Sequence, residues 1–501
     1  MDHKSPFAES SPPLLASHLD VGDLVPEQYA AYRPVIRDAL IFFLRSLPLD
    51  RQWLIAREQL KLPAQTSLIE RVSTLLHRCP SLHKLGQVLA HDRSLSPDFL
   101  IRLQALESMP ALTPLSEITA IISQEIGTFP GLKLAPRALA EASVAVVLPF
   151  SWTPSGHDAP VTGVFKVLKP GITEVLHQEL TIWSDLGQFL EDRCQEYGVP
   201  RLQYRDTFQQ IQRLLMRETR LDLEQANLHR AAAMYAEYKD IWIPRLVPLC
   251  TPRLTAMEYI PGKKVTDVND LDEQQRRRMA ETMIFNLMAR PLWSSNDQAF
   301  FHADPHAGNL LRTTDARLAV LDWSLSTTID KDERIHLMQV LLGALMLDES
   351  CVCRALENLS LTRPDPDKLK HVVGRELGKV LSGSLPGFNW LLGLMDRAAT
   401  EAEINFAESL AIYRKAVHTL MGVVADVSDT CTPDAVLMKS GMNEVLAEWP
   451  QRVLSHPGSR DFHTHVSNLD LAGLIISLPL LPLKAWNNHW QAIQNKDEIW
   501  S

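Results

Sequence analysis

An α+β fold is predicted, mostly helical and divided into two lobes, with a helical extension ahead of the first lobe. Three observations predict it. Apolar residues recur every three or four positions through 29–106 and again through 335–448. Between 118 and 258, short β-like runs at 144–148, 161–168 and 254–259 alternate with long helical patterns. Finally, the compact loop Phe300-Phe-His-Ala-Asp304-Pro-His-Ala-Gly-Asn309 is followed by the strand-like run Leu318-Ala-Val-Leu-Asp322. With 501 residues, 46% of them hydrophobic and 22% charged, the chain can bury a core of that size.

Taken in order, residues 1–28 form a tail. It lacks the basic start and apolar stretch of a signal peptide, and also the Arg-rich, acid-poor make-up of a transit peptide, so no export is indicated. The helical extension spans 29–117; Tyr32, Val35, Ile36, Leu40, Phe43, Leu44 and Leu47 mark the buried face of its first helix. The smaller lobe spans 118–262. The larger lobe, 263–450, begins with a helix at 274–288, continues through the Asp304 loop and strands at 309–312 and 318–322, and returns to helices. In the tail at 451–501 the longest apolar run, 471–483, is broken by Pro479 and Pro482 and falls short of the roughly 20 residues a spanning helix needs. Trp486, Trp490 and Trp500 suit either a peripheral membrane contact or a tail packed on the protein.

Composition removes several classes of function. The formal net charge of −10 lacks the basic excess of a nucleic-acid binder, so no nucleic acid is expected as a partner. Six cysteines without a C-x-x-C pair or a Cys/His ligand spacing exclude a disulfide framework and a zinc site. They suit a reducing, cytoplasmic compartment.

The chemistry lies in Asp304, Asn309 five positions later and Asp322 thirteen beyond that. Phosphoryl transfer needs a carboxylate facing the attacking hydroxyl, and a carboxamide oxygen and second carboxylate to hold metal ions against the nucleotide phosphates. A lysine on a strand completes such a site, and Gly163-Val-Phe-Lys166-Val-Leu supplies it. Buried inside a β run, Lys166 requires a carboxylate or phosphate partner. Read as one helix, 218–230 offers Glu218 and Glu224, which six steps of about 100° set about 120° apart, so only one of them can meet Lys166. Pro305 and Gly308 place His302 and His306 on a loop rather than a metal-binding helix, where His302 braces Asp304. The basic run at 276–278, flanked by Asp272, Glu273 and Glu281, reads as a solvated helix face.

In five blocks the sequence resembles the UbiB/AarF family of atypical kinase-like proteins, linked to ubiquinone biosynthesis. Lys84-Leu-Gly-Gln87 is similar to its KxGQ element in the extension. Ala140-Glu-Ala142-Ser143-Val-Ala resembles the alanine-rich loop that replaces the glycine-rich nucleotide loop. Val164-Phe-Lys166-Val-Leu-Lys-Pro170-Gly-Ile resembles its nucleotide-lysine strand and PGI turn, Leu223-Glu224-Gln-Ala-Asn227 its LEAAN helix, and Phe301-His-Ala-Asp304-Pro-His-Ala-Gly-Asn309 its catalytic loop.

The resemblance implies a protein-kinase-like fold using ATP and Mg²⁺. It assigns Lys166 to the ATP phosphates, Glu224 to its ion pair, Asp304 to the catalytic base, and Asn309 and Asp322 to the metal. It places Ala140, Ala142 and Ser143 in the nucleotide loop, and Glu258 and Tyr259 where backbone would meet the adenine. Lys84, Gln87 and Glu218 would lie over the substrate cleft, an arrangement that favours ATP hydrolysis or small lipophilic, isoprenoid-type substrates over protein phosphorylation. Three departures stand out. Arg220 replaces an acid in the family's E-x-D pair and would repel Lys84, Ser324 stands where Asp-Phe-Gly has glycine, and Val146 stands where a Gln is usual.

Three functional classes follow. An ATP-binding atypical kinase or ATPase leads. A small-molecule phosphotransferase of the aminoglycoside/choline kinase kind shares the His-x-Asp-x-x-x-x-Asn loop and following Asp-Trp but not the KLGQ or VFKVLKPGI blocks. A pseudokinase scaffold that binds nucleotide without turnover would account for Arg220, Ser324 and Val146.

Overall fold

The computed structural model describes residues 21–25, 27–90, 113–153, 159–199, 204–477 and 479. Residues 91–112 of the extension, residues 154–158 ahead of the Lys166 strand, and the tryptophan-bearing tail at 480–501 lie outside this set. The chain forms two compact units, one of residues 1–233 and 244–260, the other of 234–243 and 261–501.

The first unit begins with α1 (Arg33–Ser46), α2 (Leu49–Lys61), α3 (Leu68–Arg78) and α4 (Pro80–Ala90). Leu47, extended ahead of Pro48, ends α1. Ser67 and Glu70 cap the start of α3 with a reciprocal capping box. The apolar faces converge: Phe43, Leu44, Leu47, Ile55 and Leu75 share one cluster with Leu168, Leu176, Trp183 and Leu215. The extension and the small lobe therefore share a core, each fully buried aliphatic or aromatic side chain contributing about 1.5–3 kcal/mol.

After α5 (Leu115–Ile126) come β1 (Leu132–Leu134), β2 (Ala140–Glu141), β3 (Ala145–Trp152) and β4 (Val161–Leu168). Three helices follow: α6 (Ile172–Tyr197), α7 (Tyr204–Glu218) and α8 (Leu221–Tyr235). β5 (Ile241–Trp242) belongs to the second unit, and β6 (Leu254–Glu258) returns to the first. The sheet is antiparallel, ordered β1-β3-β4-β6 with β2 on β3. Gly163 is required on β4: a Cβ there would collide with the Phe150 ring and sit 2.8 Å from the Met257 carbonyl oxygen. The stretch 218–230 is not one helix. Glu218 ends α7 and Glu224 lies in the first turn of α8, so the angle between them is set by the break at Thr219-Arg220 and not by 100° steps.

In the second unit β7 (Gly262–Lys264) precedes α9 (Glu273–Ile284), which Asp272 and Gln275 cap. A π turn, Phe285–Ala289, continues α9, and the bulge turns the Asn286 amide onto Asp240 at 2.8 Å. β8 (Gln298–His302), β9 (Leu310–Thr313), β10 (Leu318–Val320) and β11 (Ser326–Asp330) build two small sheets, β5-β10-β9-β7 and the antiparallel pair β8–β11. Beyond them run α10 (Lys331–Leu345), α11 (Glu349–Leu359), α12 (Pro366–Leu381), α13 (Phe388–Glu401), α14 (Glu408–Val427), α15 (Pro433–Ala447), α16 (Trp449–Leu454) and α17 (Asn468–Ser477). Tyr413 of α14 packs edge-on to Phe301 at 5.1 Å and donates its hydroxyl to the Met288 carbonyl at 2.8 Å, fixing β8 from below. Among the described residues no helix is long and apolar enough to cross a membrane.

Candidate functional site

Each unit carries its own set of the predicted residues. In the first, Lys166 sits on the central strand β4, opposite Val147 of β3 and Thr255 of β6, and is buried. Its Nζ meets both carboxylate oxygens of Glu224, at 2.8 and 2.9 Å. Gln225, beside Glu224, donates to the Thr251 and Leu254 carbonyls at 2.8 and 3.2 Å and so ties the start of α8 to β6. The pair therefore holds lysine and carboxylate in one geometry on a rigid support.

Glu218 gathers two of the other predicted motifs. It forms an ion pair with Lys84 of α4 and accepts a hydrogen bond from the Ser143 hydroxyl at 3.3 Å. Arg220 is not the repulsive neighbour expected for Lys84. Its guanidinium turns outward to Asp222, at 2.6 and 2.8 Å, because the chain leaves helical geometry just before it. Gln87 lies on α4, and its side chain falls outside the described set. Ala140 opens β2 opposite Val147, and Ala142 closes the turn by donating its N–H to the Ala145 carbonyl at 2.8 Å. Val146, where a Gln is usual, is wholly buried among Leu148, Phe165 and Val167. The Glu258 and Tyr259 N–H groups are both used within the unit, donating to the carbonyls of Arg245 at 2.9 Å and Thr162 at 3.2 Å.

In the second unit the loop between β8 and β9 holds Asp304 and Asn309. The buried His302 ring accepts the Asp304 N–H at Nδ1, 3.2 Å, and presents Nε2 to the Asp322 carbonyl at 2.5 Å. Burial holds the His302 pKa below its usual 6.5, and the neutral ring satisfies both bonds. Asn309 donates its side-chain amide to the Asp304 carbonyl at 3.1 Å, and its backbone carbonyl accepts the Leu321 N–H at 2.9 Å, bringing the two loops side by side. One Asp322 oxygen accepts the Ser324 N–H at 2.9 Å. Ser324 is not among the residues with positive φ, so the missing glycine costs no backbone strain here.

Among the described residues no cluster of three or more His, Cys, Asp or Glu side chains could hold a metal by itself. Asn309 and Asp322 nonetheless suit a hard cation. The Asn309 amide nitrogen is committed to Asp304, which leaves its side-chain oxygen as the acceptor, and Mg²⁺ ordinarily takes one or two protein oxygens together with phosphate oxygens.

The profile of the ABC1 atypical kinase-like domain matches residues 107–356. This chain belongs to the ABC1 atypical kinase-like family. The UbiB/AarF resemblance points to the same group. The Synechocystis protein sll0005 is 24% identical over 416 residues, covering 76% of this chain and 58% of that protein. Activity of BC1 Complex Kinase 3 of the Arabidopsis thaliana chloroplast is 26% identical over 293 residues, 58% of this chain and 40% of that one. A Shewanella halifaxensis protein named "Probable protein kinase UbiB" is 24% identical over 368 residues, 70% and 62%. The chain thus spans less than two thirds of the length of each of these relatives. A solved structure, the complex of Rv3197 with erythromycin from Mycobacterium tuberculosis, is similar at a TM-score of 0.48 and 17% identity, covering 73% of this chain and 93% of that one.

The stretch that matches the ABC1 domain holds Lys166, Glu224, Asp304, Asn309 and Asp322, whereas Lys84 precedes it. Sequence reasoning missed a second cluster in the first unit. Glu141 accepts from the Thr113 N–H at 3.0 Å, the Thr113 hydroxyl at 2.9 Å and Lys169 at 2.8 Å, and His77 of α3 lies 3.5 Å away. Glu141 stands in the alanine-rich block and Lys169 three residues after Lys166, so an isolated acid in one motif and a second base beside another were the only signals. Gln225 gave none.

Proposed function

We propose that this chain is an ATP-using atypical kinase or ATPase acting by Mg²⁺-dependent phosphoryl transfer or hydrolysis. The observation that carries the reading is the buried bidentate Lys166–Glu224 pair together with the His302-linked loops of Asp304, Asn309 and Asp322. In this reading Lys166, aimed by Glu224, holds nucleotide phosphates. Asn309 and Asp322 hold the metal, which when bound neutralises charge on the transferring phosphoryl group. Asp304, fixed through its backbone by His302 and Asn309, takes the proton of a substrate hydroxyl or of water. Domain boundaries near 117 and 262 belong to the same proposal.

A role in ubiquinone or other isoprenoid-lipid metabolism, with a lipophilic substrate and peripheral membrane contact, rests on the family resemblance. It draws support from one surface feature. Met438, Met442, Leu446, Trp449 and Val453 recur every three or four residues along α15 and α16 and all are at least 60% exposed, a stripe unusual for a chain that meets only water.

The deciding experiment is thermal unfolding of wild type and Asp322→Asn with and without Mg²⁺ and ATP. A ligand at about 100 times its dissociation constant adds roughly 2.7 kcal/mol to stability. A Mg²⁺-dependent rise in wild type that Asp322→Asn loses supports the reading. No rise in either at millimolar ATP overturns it, and a rise without ATP turnover leaves the scaffold that only binds nucleotide.

A further inference from the structure

The turn at 292–297 feeds β8, which ends two residues before Asp304. Among the described residues β8 pairs only with β11, so the position of its first residues depends on that turn. The turn is held by α10 and by a segment far along the chain, 461–466. Arg334 of α10, wholly buried, donates to the carbonyls of Ser294, Asn296 and Asp297. Lys331 donates its N–H to the Asp297 carbonyl at 2.7 Å and its Nζ to Asp461 at 2.7 Å. His463 Nδ1 lies 3.0 Å from the Trp293 carbonyl. His465 Nε2 lies 3.0 Å from the Leu292 carbonyl and 3.2 Å from Arg334 Nη1.

The same segment is anchored on its other side. Thr464 donates its N–H to Glu448 at 2.8 Å, and Arg452, paired with Glu448 at 2.6 Å, donates to the Val466 carbonyl at 2.9 Å. Odd-numbered residues thus grip the turn, while Thr464 and Val466 are fastened to a buried ion pair. His465 bears the cost of the arrangement. It adopts φ 57°, in the left-handed region that few non-glycine residues enter, and its wholly buried Nδ1 has no hydrogen-bond partner. Such a conformation persists only where the surroundings over-determine it, and here they aim one ring at one carbonyl.

We propose that His465, acting with Arg334 through the 292–297 turn, is a positioning residue for the Asp304 loop, so that segment 461–466 is part of the phosphoryl-transfer machinery. The inference rests on the function proposed above. The path is short: His465 and Arg334 fix the turn, the turn fixes the start of β8, and β8 delivers His302, which holds the backbones of Asp304 and Asp322. A misplacement of about 1 Å far from the chemistry can cost on the order of 100-fold in rate.

The test uses the full chain with His465→Ala and His465→Gln, measuring kcat and KM for MgATP, the MgATP-dependent rise in melting temperature, and amide hydrogen exchange. In His465→Ala, kcat falls roughly tenfold or more while KM and the MgATP rise stay, and exchange quickens at 298–304 alone. His465→Gln, whose side-chain amide reaches the Leu292 carbonyl, recovers most of both. Wild-type kcat and unchanged local exchange in His465→Ala overturn the proposal, as does exchange that rises uniformly through the second unit. Should His465→Ala fail to fold, the exposed His463→Ala decides: quickened exchange at 298–304 supports positioning, and unchanged exchange overturns it. If wild type itself neither turns over ATP nor gains stability from it, the functional reading fails, and the exchange result alone still decides whether 461–466 positions the loop.

Discussion

His302 Nε2 lies 2.5 Å from the carbonyl oxygen of Asp322, while the Nδ1 of the same ring accepts the N–H of Asp304. One neutral imidazole therefore links the two loops that carry the proposed base and the proposed metal ligand. The tautomer follows from the bonds, since an accepting Nδ1 leaves the proton on Nε2, where it is donated to Asp322.

Replacing this ring tests the link. His302→Phe keeps the ring's bulk beside Trp323 but removes both bonds, and leaving the Asp304 N–H and the Asp322 carbonyl unanswered costs about 1–3 kcal/mol. Turnover falls by more than the stability loss explains. The pH dependence has a definite sign. The folded-state pKa of His302 lies below 6.5, so its contribution is full above pH 6.5 and lost as pH falls through the lower folded value. Melting temperatures between about pH 5 and 8 should fall more steeply on acidification in wild type than in His302→Phe. Parallel profiles would count against the neutral bridge.

The Lys166–Glu224 pair is tested by comparing the loss of one charge with the loss of both. Glu224→Gln leaves a buried ammonium without its carboxylate and costs about 3–5 kcal/mol, whereas Lys166→Met with Glu224→Leu removes both charges and recovers much of the loss. Urea unfolding reads the energies. The single variant also loses the MgATP-dependent stabilisation, and so does the double one, because neither can hold phosphates.

Asp304→Asn separates binding from turnover. Its backbone contacts to His302 and Asn309 survive the change, so the loop keeps its shape. MgATP still raises the melting temperature as in wild type, while turnover drops by on the order of 100-fold, the lower end of the range for one general base. Equal turnover in the two proteins would remove Asp304 from the role of base.

The sequence made the ends of this arrangement legible and its middle opaque. Asp304, Asn309 and Asp322 were readable because phosphoryl transfer restricts residue type and spacing together, and Lys166 because a lysine inside an apolar strand demands a partner. The strands at 309–312 and 318–322 appear within a residue or two as Leu310–Thr313 and Leu318–Val320. What periodicity could not show was the break at Thr219-Arg220, where no proline or glycine interrupts the pattern. Nor could it show where Arg220 points, which two-residue geometry to Asp222 decides. The 461–466 segment was read as tail because the bonds of its histidines go to backbone carbonyls, and any side chain with a donor can make those.

Glu141 provides the last prediction. Burial alone would raise its pKa, but the Lys169 ammonium and the N–H and hydroxyl of Thr113 outweigh that and hold it at about 2. The pairing is unequal: burial also pulls the Lys169 pKa below its usual 10.5 despite the carboxylate, so the gain at Glu141 is partly offset at Lys169. A carboxylate depressed from 4.5 to about 2 contributes stability that is complete above pH 4.5 and lost as pH falls through 2, on the order of 3 kcal/mol before that offset. Glu141→Gln should therefore destabilise the protein at neutral pH and flatten the fall in stability between pH 4.5 and about 2. Removing both charges, Glu141→Gln with Lys169→Met, should be less damaging than Glu141→Gln alone, because the single variant strands the buried ammonium. Since Glu141 joins Thr113 and His77 to the start of the alanine-rich loop, the loss should also appear as faster amide exchange at 140–146. If acid stability and loop exchange in Glu141→Gln match wild type, the cluster is a surface contact and not the clasp that its geometry describes.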